Sequence, residues 1–226
     1  MSIRIEVVPF VVASVVLGVL IALGVKAFGA GTRMASIAGL VVALVFSLYM
    51  LFFFRDPDRT IPEGESLIVA GADGVIARIV EMRENGFLKE DTVRISIFLS
   101  LFNVHVNRAV ISGKSTFLGY FPGKRLFTFQ EKSSDVNQHN AILIEGQGTR
   151  CLMKQIVGPV CRRVVYWPDH DKPVEVRKGD KIGMMKFGSR MDLYFPKSDV
   201  LLKVKEGDKV TAGETVIAVV DRRQKE

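Results

Sequence analysis

Two uncharged apolar runs near the amino terminus constrain this chain more than anything else in it. Residues 7–25 hold 19 positions without a charge, and residues 34–54 hold 21. As helices, both are long enough to cross about 30 Å of hydrocarbon, where a helix satisfies its own backbone polar groups. The gap between them, Lys26-Ala27-Phe28-Gly29-Ala30-Gly31-Thr32-Arg33, is short and Gly-rich and suits a tight hairpin. A cleaved leader fits poorly, because Glu6 balances Arg4 and a second apolar run follows at once. The expectation is a membrane-anchoring region over residues 1–56 with two transmembrane helices. Arg4, Arg55 and Arg59 outnumber Lys26 and Arg33, which favours a cell-membrane protein with its remaining domain on the cytoplasmic side. Phe52-Phe53-Phe54-Arg55 reads as an interfacial anchor. The following Asp56-Pro57-Asp58 ends the helix.

Charge narrows the partners. Residues 1–54 carry +2 of the chain's net +7, leaving +5 on the remainder. That remainder has no dense Lys/Arg stripe with interleaved aromatics, so nucleic acid is not an expected partner. A moderately basic surface suits anionic membrane lipids instead. Cys151 and Cys161 form no CxxC, and the chain has three histidines, so no metal site is expected. The cysteines read as reduced thiols, with a disulfide left open.

Residues 57–226 read as a mostly β, α+β domain. Residues 67–80 suggest two strands around Ala72-Asp73-Gly74, where Asp-Gly is a hairpin signal and Asp73 a turn residue. Residues 91–100 form another strand, leading into Leu101-Phe102-Asn103-Val104-His105-Val106-Asn107-Arg108. Extended, that segment presents Asn103, His105 and Asn107 on one face. His105 is then either a satisfied core imidazole or a catalytic one, whereas His139 and His170 lie in a polar loop and a turn. Residues 176–183 and 204–211 are a near-repeat of Val-basic/acidic-Gly-Asp-Lys turns. Such turns resemble the barrel-sandwich hybrid of lipoyl and biotinyl carriers, but the corresponding hairpin tip holds Gly188-Ser189 where a carrier has its modified lysine.

Three stretches in order, Ala72-Asp73-Gly74, residues 98–108 and Phe187-Gly188-Ser189-Arg190, resemble the phosphatidylserine decarboxylase family in its short bacterial and archaeal type. The resemblance implies a carboxy-lyase made as a proenzyme that cuts itself between Gly188 and Ser189, giving a β chain of residues 1–188 and an α chain of residues 189–226. It implies that Ser189 becomes a covalent pyruvoyl group, the cofactor that forms a Schiff base with phosphatidylserine and releases CO2 to leave phosphatidylethanolamine. It further implies that Asp73 and His105 serve the cut or the decarboxylation, and that processed protomers pair as a homodimer. Longer relatives carry a second histidine where this chain has Arg108, a candidate instead for the lipid's phosphate or carboxylate. Archaetidylserine is an alternative substrate. A membrane adaptor with a barrel-sandwich domain is an alternative of another class, but it leaves residues 103–108 without a task.

Overall fold

The computed structural model describes residues 1–159 and 164–221, which fall into two compact units, Met1–Asp58 and Arg59–Glu226. In the first unit, short strands β1 (Ser2–Ile3) and β2 (Arg55–Asp56) pair beside helices α1 (Val8–Ala27) and α2 (Thr32–Phe53). Both helices are long and apolar enough to cross a membrane. Small residues recur every four positions, at Ser14, Gly18 and Ala22 on α1 and at Ala35, Gly39 and Ala43 on α2. A Cβ on Gly18 would lie 2.5 Å from the Gly39 carbonyl oxygen, so the helices meet where side chains are missing. In hydrocarbon that close backbone approach replaces the burial that drives helix association in water. The anchor expected at residues 52–54 is corrected in part. Phe53 and Phe54 are fully buried, with Phe54 packed on Phe10, and of the three only Phe52 is exposed, beneath the Arg55 guanidinium.

The second unit is strand-rich, as expected. Its strands are β3 (Leu67–Val69), β4 (Gly74–Glu84), β5 (Glu90–Leu99), β6 (Val106–Arg108) and β7 (Gly113–Phe121). After one helical turn, α3 (Ser133–Val136), come β8 (His139–Glu145), β9 (Arg150–Val157), β10 (Val164–Tyr166), β11 (Val174–Val176) and β12 (Lys181–Met185). The chain closes with β13 (Ser189–Pro196), β14 (Val200–Leu202), β15 (Lys209–Val210) and β16 (Val216–Val220). Eight strands form one sheet in the order β11-β7-β8-β9-β13-β5-β4-β15. Two three-stranded sheets, β10-β12-β6 and β14-β16-β3, accompany it, and none of the three closes on itself.

Strand β13 organises the core. Met191, Leu193 and Phe195 share a hydrophobic cluster with Ile95, Ile97 and Leu99 of β5 and with Cys151 and Met153 of β9. With a side-chain period of two, Arg190, Asp192 and Tyr194 face the other side. All eight residues of β13 are buried. This corrects the expected exposed tip, since Ser189 begins a central strand and does not cap a hairpin.

The Asp-Gly hairpin is also corrected. Strands β3 and β4 flank Ala72-Asp73 but belong to different sheets. The near-repeat is a repeated turn. Asp180 Oδ2 accepts from Arg177 N at 2.7 Å and Asp208 Oδ2 from Lys205 N at 2.9 Å, a side-chain cap that explains the recurring Gly-Asp. The polar loop expected around His139 is instead α3 leading into β8. Cys151 is a buried thiol whose pKa burial raises well above its ordinary 9.0; Cys161 lies outside the described residues.

Candidate active site

Ser189 pairs with Leu99 on one side and Val157 on the other, and it is fully buried. Its Oγ has no hydrogen-bond partner among the described residues. A buried hydroxyl left unsatisfied costs about 1–3 kcal/mol, so its persistence marks a place held by its surroundings. The backbone just before it is also strained. Phe187 has φ 60° and Gly188 φ 68°, consecutive left-handed residues. Glycine accepts that region freely, whereas for Phe187 it costs on the order of 1–3 kcal/mol. The strain therefore sits at Phe187, one residue before the Gly188-Ser189 bond.

Backbone pairing brings the three sequence stretches together. Val75 of β4 pairs with Phe98, and Leu99 pairs with Ser189. Met185 N donates to the His105 carbonyl at 3.2 Å, and Arg108 N to the Gly71 carbonyl at 2.9 Å. Between Leu99 and His105 the chain turns tightly, since Asn103 Oδ1 accepts from both the amide and the hydroxyl of Ser100. His105 is fully buried, and its Nδ1 lies 2.9 Å from the Asn103 carbonyl oxygen. A carbonyl can only accept, so in the neutral ring Nδ1 carries the proton and Nε2 the lone pair.

The other expected residues sit less directly. The Asp73 carboxylate takes two hydrogen bonds from Arg59 Nη2, at 3.0 and 2.8 Å, and one from Ala212 N at 2.8 Å. Its bonds therefore go to Arg59 and the residue 212 backbone, and none goes to His105. Arg108 is buried and donates through Nη1 to the Gly179 carbonyl at 2.7 Å. His139 stacks on Phe121, and burial holds its imidazole below the ordinary 6.5. It pairs with Ile156, which pairs with Arg190, so the register puts it on the opposite face of the sheet from Ser189.

Two buried polar groups extend beyond the residues read from the sequence. On the face that carries Ser189, Gln155 Nε2 donates to Asn107 Oδ1 at 2.7 Å and Asn140 Nδ2 to Gln155 Oε1 at 3.2 Å. Asn107 was already placed on one face with His105 by their alternation, whereas Gln155 and Asn140 carried no such signal. On the other face, Arg190 donates to Asp192 Oδ1, Ser96 Oγ and Glu131 Oε2 at 2.9, 2.8 and 2.9 Å. Arg94 also bonds Glu131. Partial burial pushes the Glu131 carboxyl up, but Arg190 and Arg94 outweigh it and hold the group below its ordinary 4.5.

A family model described as phosphatidylserine decarboxylase matches residues 46–218. The chain belongs to the phosphatidylserine decarboxylase family. It is 41% identical over 180 residues to the phosphatidylserine decarboxylase proenzyme of Carboxydothermus hydrogenoformans, covering 79% of this chain and 83% of that protein. It is 42% identical over 155 residues to the proenzyme of Syntrophus aciditrophicus, covering 68% and 72%, and 36% identical over 187 residues to that of Amoebophilus asiaticus, covering 82% of each. Asp73, His105, Arg108, Gly188 and Ser189 all lie within the span matched to the decarboxylase family, and helix α1 lies outside it.

Proposed function

We propose that this chain is a self-processing phosphatidylserine decarboxylase, anchored by residues 1–56, that forms phosphatidylethanolamine and CO2. The observation that carries the reading is Ser189, an unsatisfied buried hydroxyl immediately after two left-handed residues. Attack of Ser189 Oγ on the Gly188 carbonyl carbon moves the acyl group from nitrogen to oxygen. Loss of the Ser189 Cα proton then expels the Gly188 carboxylate and leaves dehydroalanine. Its imine tautomer takes up water and releases ammonia, leaving a pyruvoyl carbonyl at the new amino terminus of residues 189–226. The serine needs a base to become nucleophilic.

The site fits that group, because the strand holds position 189 inside the protein between β5 and β9. Once formed from Ser189, that group would supply a carbonyl for the substrate amine and an acceptor for the electron pair released with CO2. His105 Nε2 transfers the proton, with Nδ1 oriented by the Asn103 carbonyl in place of a carboxylate. Asp73 supports the cut from its place on Arg59 and the residue 212 backbone, and Arg108 anchors the lipid's anionic groups. The helices suit a cell-membrane protein, and the arginine excess supports a cytoplasmic catalytic domain. Homodimer formation and the barrel-sandwich likeness rest on the family and on the repeated turns, respectively.

The test is the denatured mass of the purified chain. Wild type is expected as two fragments, the smaller one starting with a pyruvoyl group, Ser189→Ala as one intact chain, and Asp73→Asn as slowly cut. An intact wild type would overturn self-processing. Full-rate cutting of Asp73→Asn would leave Asp73 a purely structural role.

A further inference from the structure

Ser189 stands at one end of β13, and the most exposed aromatics of the second unit gather at that same end. Phe102, Phe129 and Phe127 are 70%, 66% and 55% exposed. Phe102 follows Leu99, the β5 partner of Ser189, by three positions. On the other side Gly158 follows Val157, the β9 partner. A Cβ on Gly158 would lie 3.1 Å from the Gly188 carbonyl oxygen and 3.4 Å from Thr128 Cγ2, between Phe127 and Phe129.

The segment carrying these two phenylalanines is held at both ends. Asn137 Nδ2 donates to the Leu126 and Val157 carbonyls at 2.7 and 3.0 Å, and Glu131 is pinned by Arg190 and Arg94. Thr128 is buried between them, so Phe127 and Phe129 point outward and stack with ring centroids 5.4 Å apart. Exposed aromatics on an anchored segment mark an interaction surface. The chemistry of the partner is set by Lys124, Arg125 and Lys132, all exposed, which border the aromatics with positive charge. Aromatic side chains rimmed by basic ones match the boundary between acyl chains and anionic head groups.

We propose that this end of the sheet is a bilayer-docking surface. Phe127 and Phe129 enter the head-group boundary of an anionic membrane, Phe102 lies beside them, and the three basic residues meet lipid phosphates. The Gly188-Ser189 position then opens toward the membrane from which the substrate is drawn. The role in turnover rests on the decarboxylase reading; membrane contact by itself does not.

The full chain is reconstituted in vesicles of phosphatidylcholine and phosphatidylglycerol. Phe129→Trp is placed in a Trp167→Phe background, which removes the chain's only tryptophan. Brominated phosphatidylcholine is expected to quench Trp fluorescence from position 129. The double variant Phe127→Ser/Phe129→Ser is then expected to raise KM for bilayer phosphatidylserine about tenfold, as lost aromatic insertion weakens interfacial binding. Its turnover of dispersed short-chain phosphatidylserine and its self-cleavage should be unchanged. Absence of quenching would overturn the proposal, as would equal loss on both substrates or a change from dimer to monomer with vesicle turnover intact. Quenching in a protein that decarboxylates neither substrate would uphold docking and remove the proposed activity.

Discussion

Position 105 shows how one residue's neighbours decide its chemistry. A lone histidine among apolar strand residues is ordinarily a satisfied core imidazole. Here the Asn103 carbonyl, two residues away, fixes the Nδ1 proton, and the ring is fully buried beside the segment leading to Ser189. With Nε2 as the proton-transferring atom, His105→Gln in already cut protein should lower decarboxylation about a hundredfold or more, the usual size of a general acid–base contribution. Turnover with phosphatidylserine checks this, and an unchanged kcat would exclude His105 from the chemistry. Asp73 stands at one remove, its carboxylate bonded to Arg59 and the Ala212 amide, and the cutting rate of Asp73→Asn reads whether that placement serves the cut.

The segment over Gly158 is an element held by charge. Glu131 bridges Arg94 and Arg190, and its carboxyl lies below the ordinary 4.5. A carboxyl depressed in the folded protein contributes stability that is present above 4.5 and lost as pH falls through its folded value. Amide hydrogen exchange in residues 126–131, corrected for intrinsic rates, should therefore accelerate as pH falls below about 4.5. Glu131→Gln should exchange rapidly at neutral pH and lose that acid dependence. Protection that is independent of both pH and Glu131 would show that Asn137 alone holds the segment.

Across the whole molecule, the proposed cut leaves two chains that share their sheets. The shorter one supplies β13, between β5 and β9 of the longer, and also β15 paired with β4 and β16 paired with β3. Residues Met191, Leu193 and Phe195 lie in the common core, where losing one large apolar side chain typically costs 2–5 kcal/mol. The cut protein should therefore migrate as one species under native conditions and as two in denaturant. Dissociation under native conditions would show that the shared sheet does not hold the chains. The pairing also keeps position 189 inside the protein after the peptide bond is gone.

Much of this was legible locally. Length without charge specifies the two helices, Gly-Asp spacing specifies the two matching turns, and β-type runs place strands such as β4 and β5. The Ser189, His105 and Asp73 stretches can be picked out by residue type and order. The small-residue spacing of the hairpin was equally present in the sequence, although its meaning emerges only when Gly18 meets Gly39. Tertiary structure decided which strands pair, and so sent β3 and β4 into separate sheets and put Ser189 in a central strand. It also joined Arg190 to Glu131, 59 residues apart. Periodicity and turn chemistry act over a few residues, so the sequence alone determines them. Register and ion pairing depend on burial against distant segments, and only the folded chain brings those segments together.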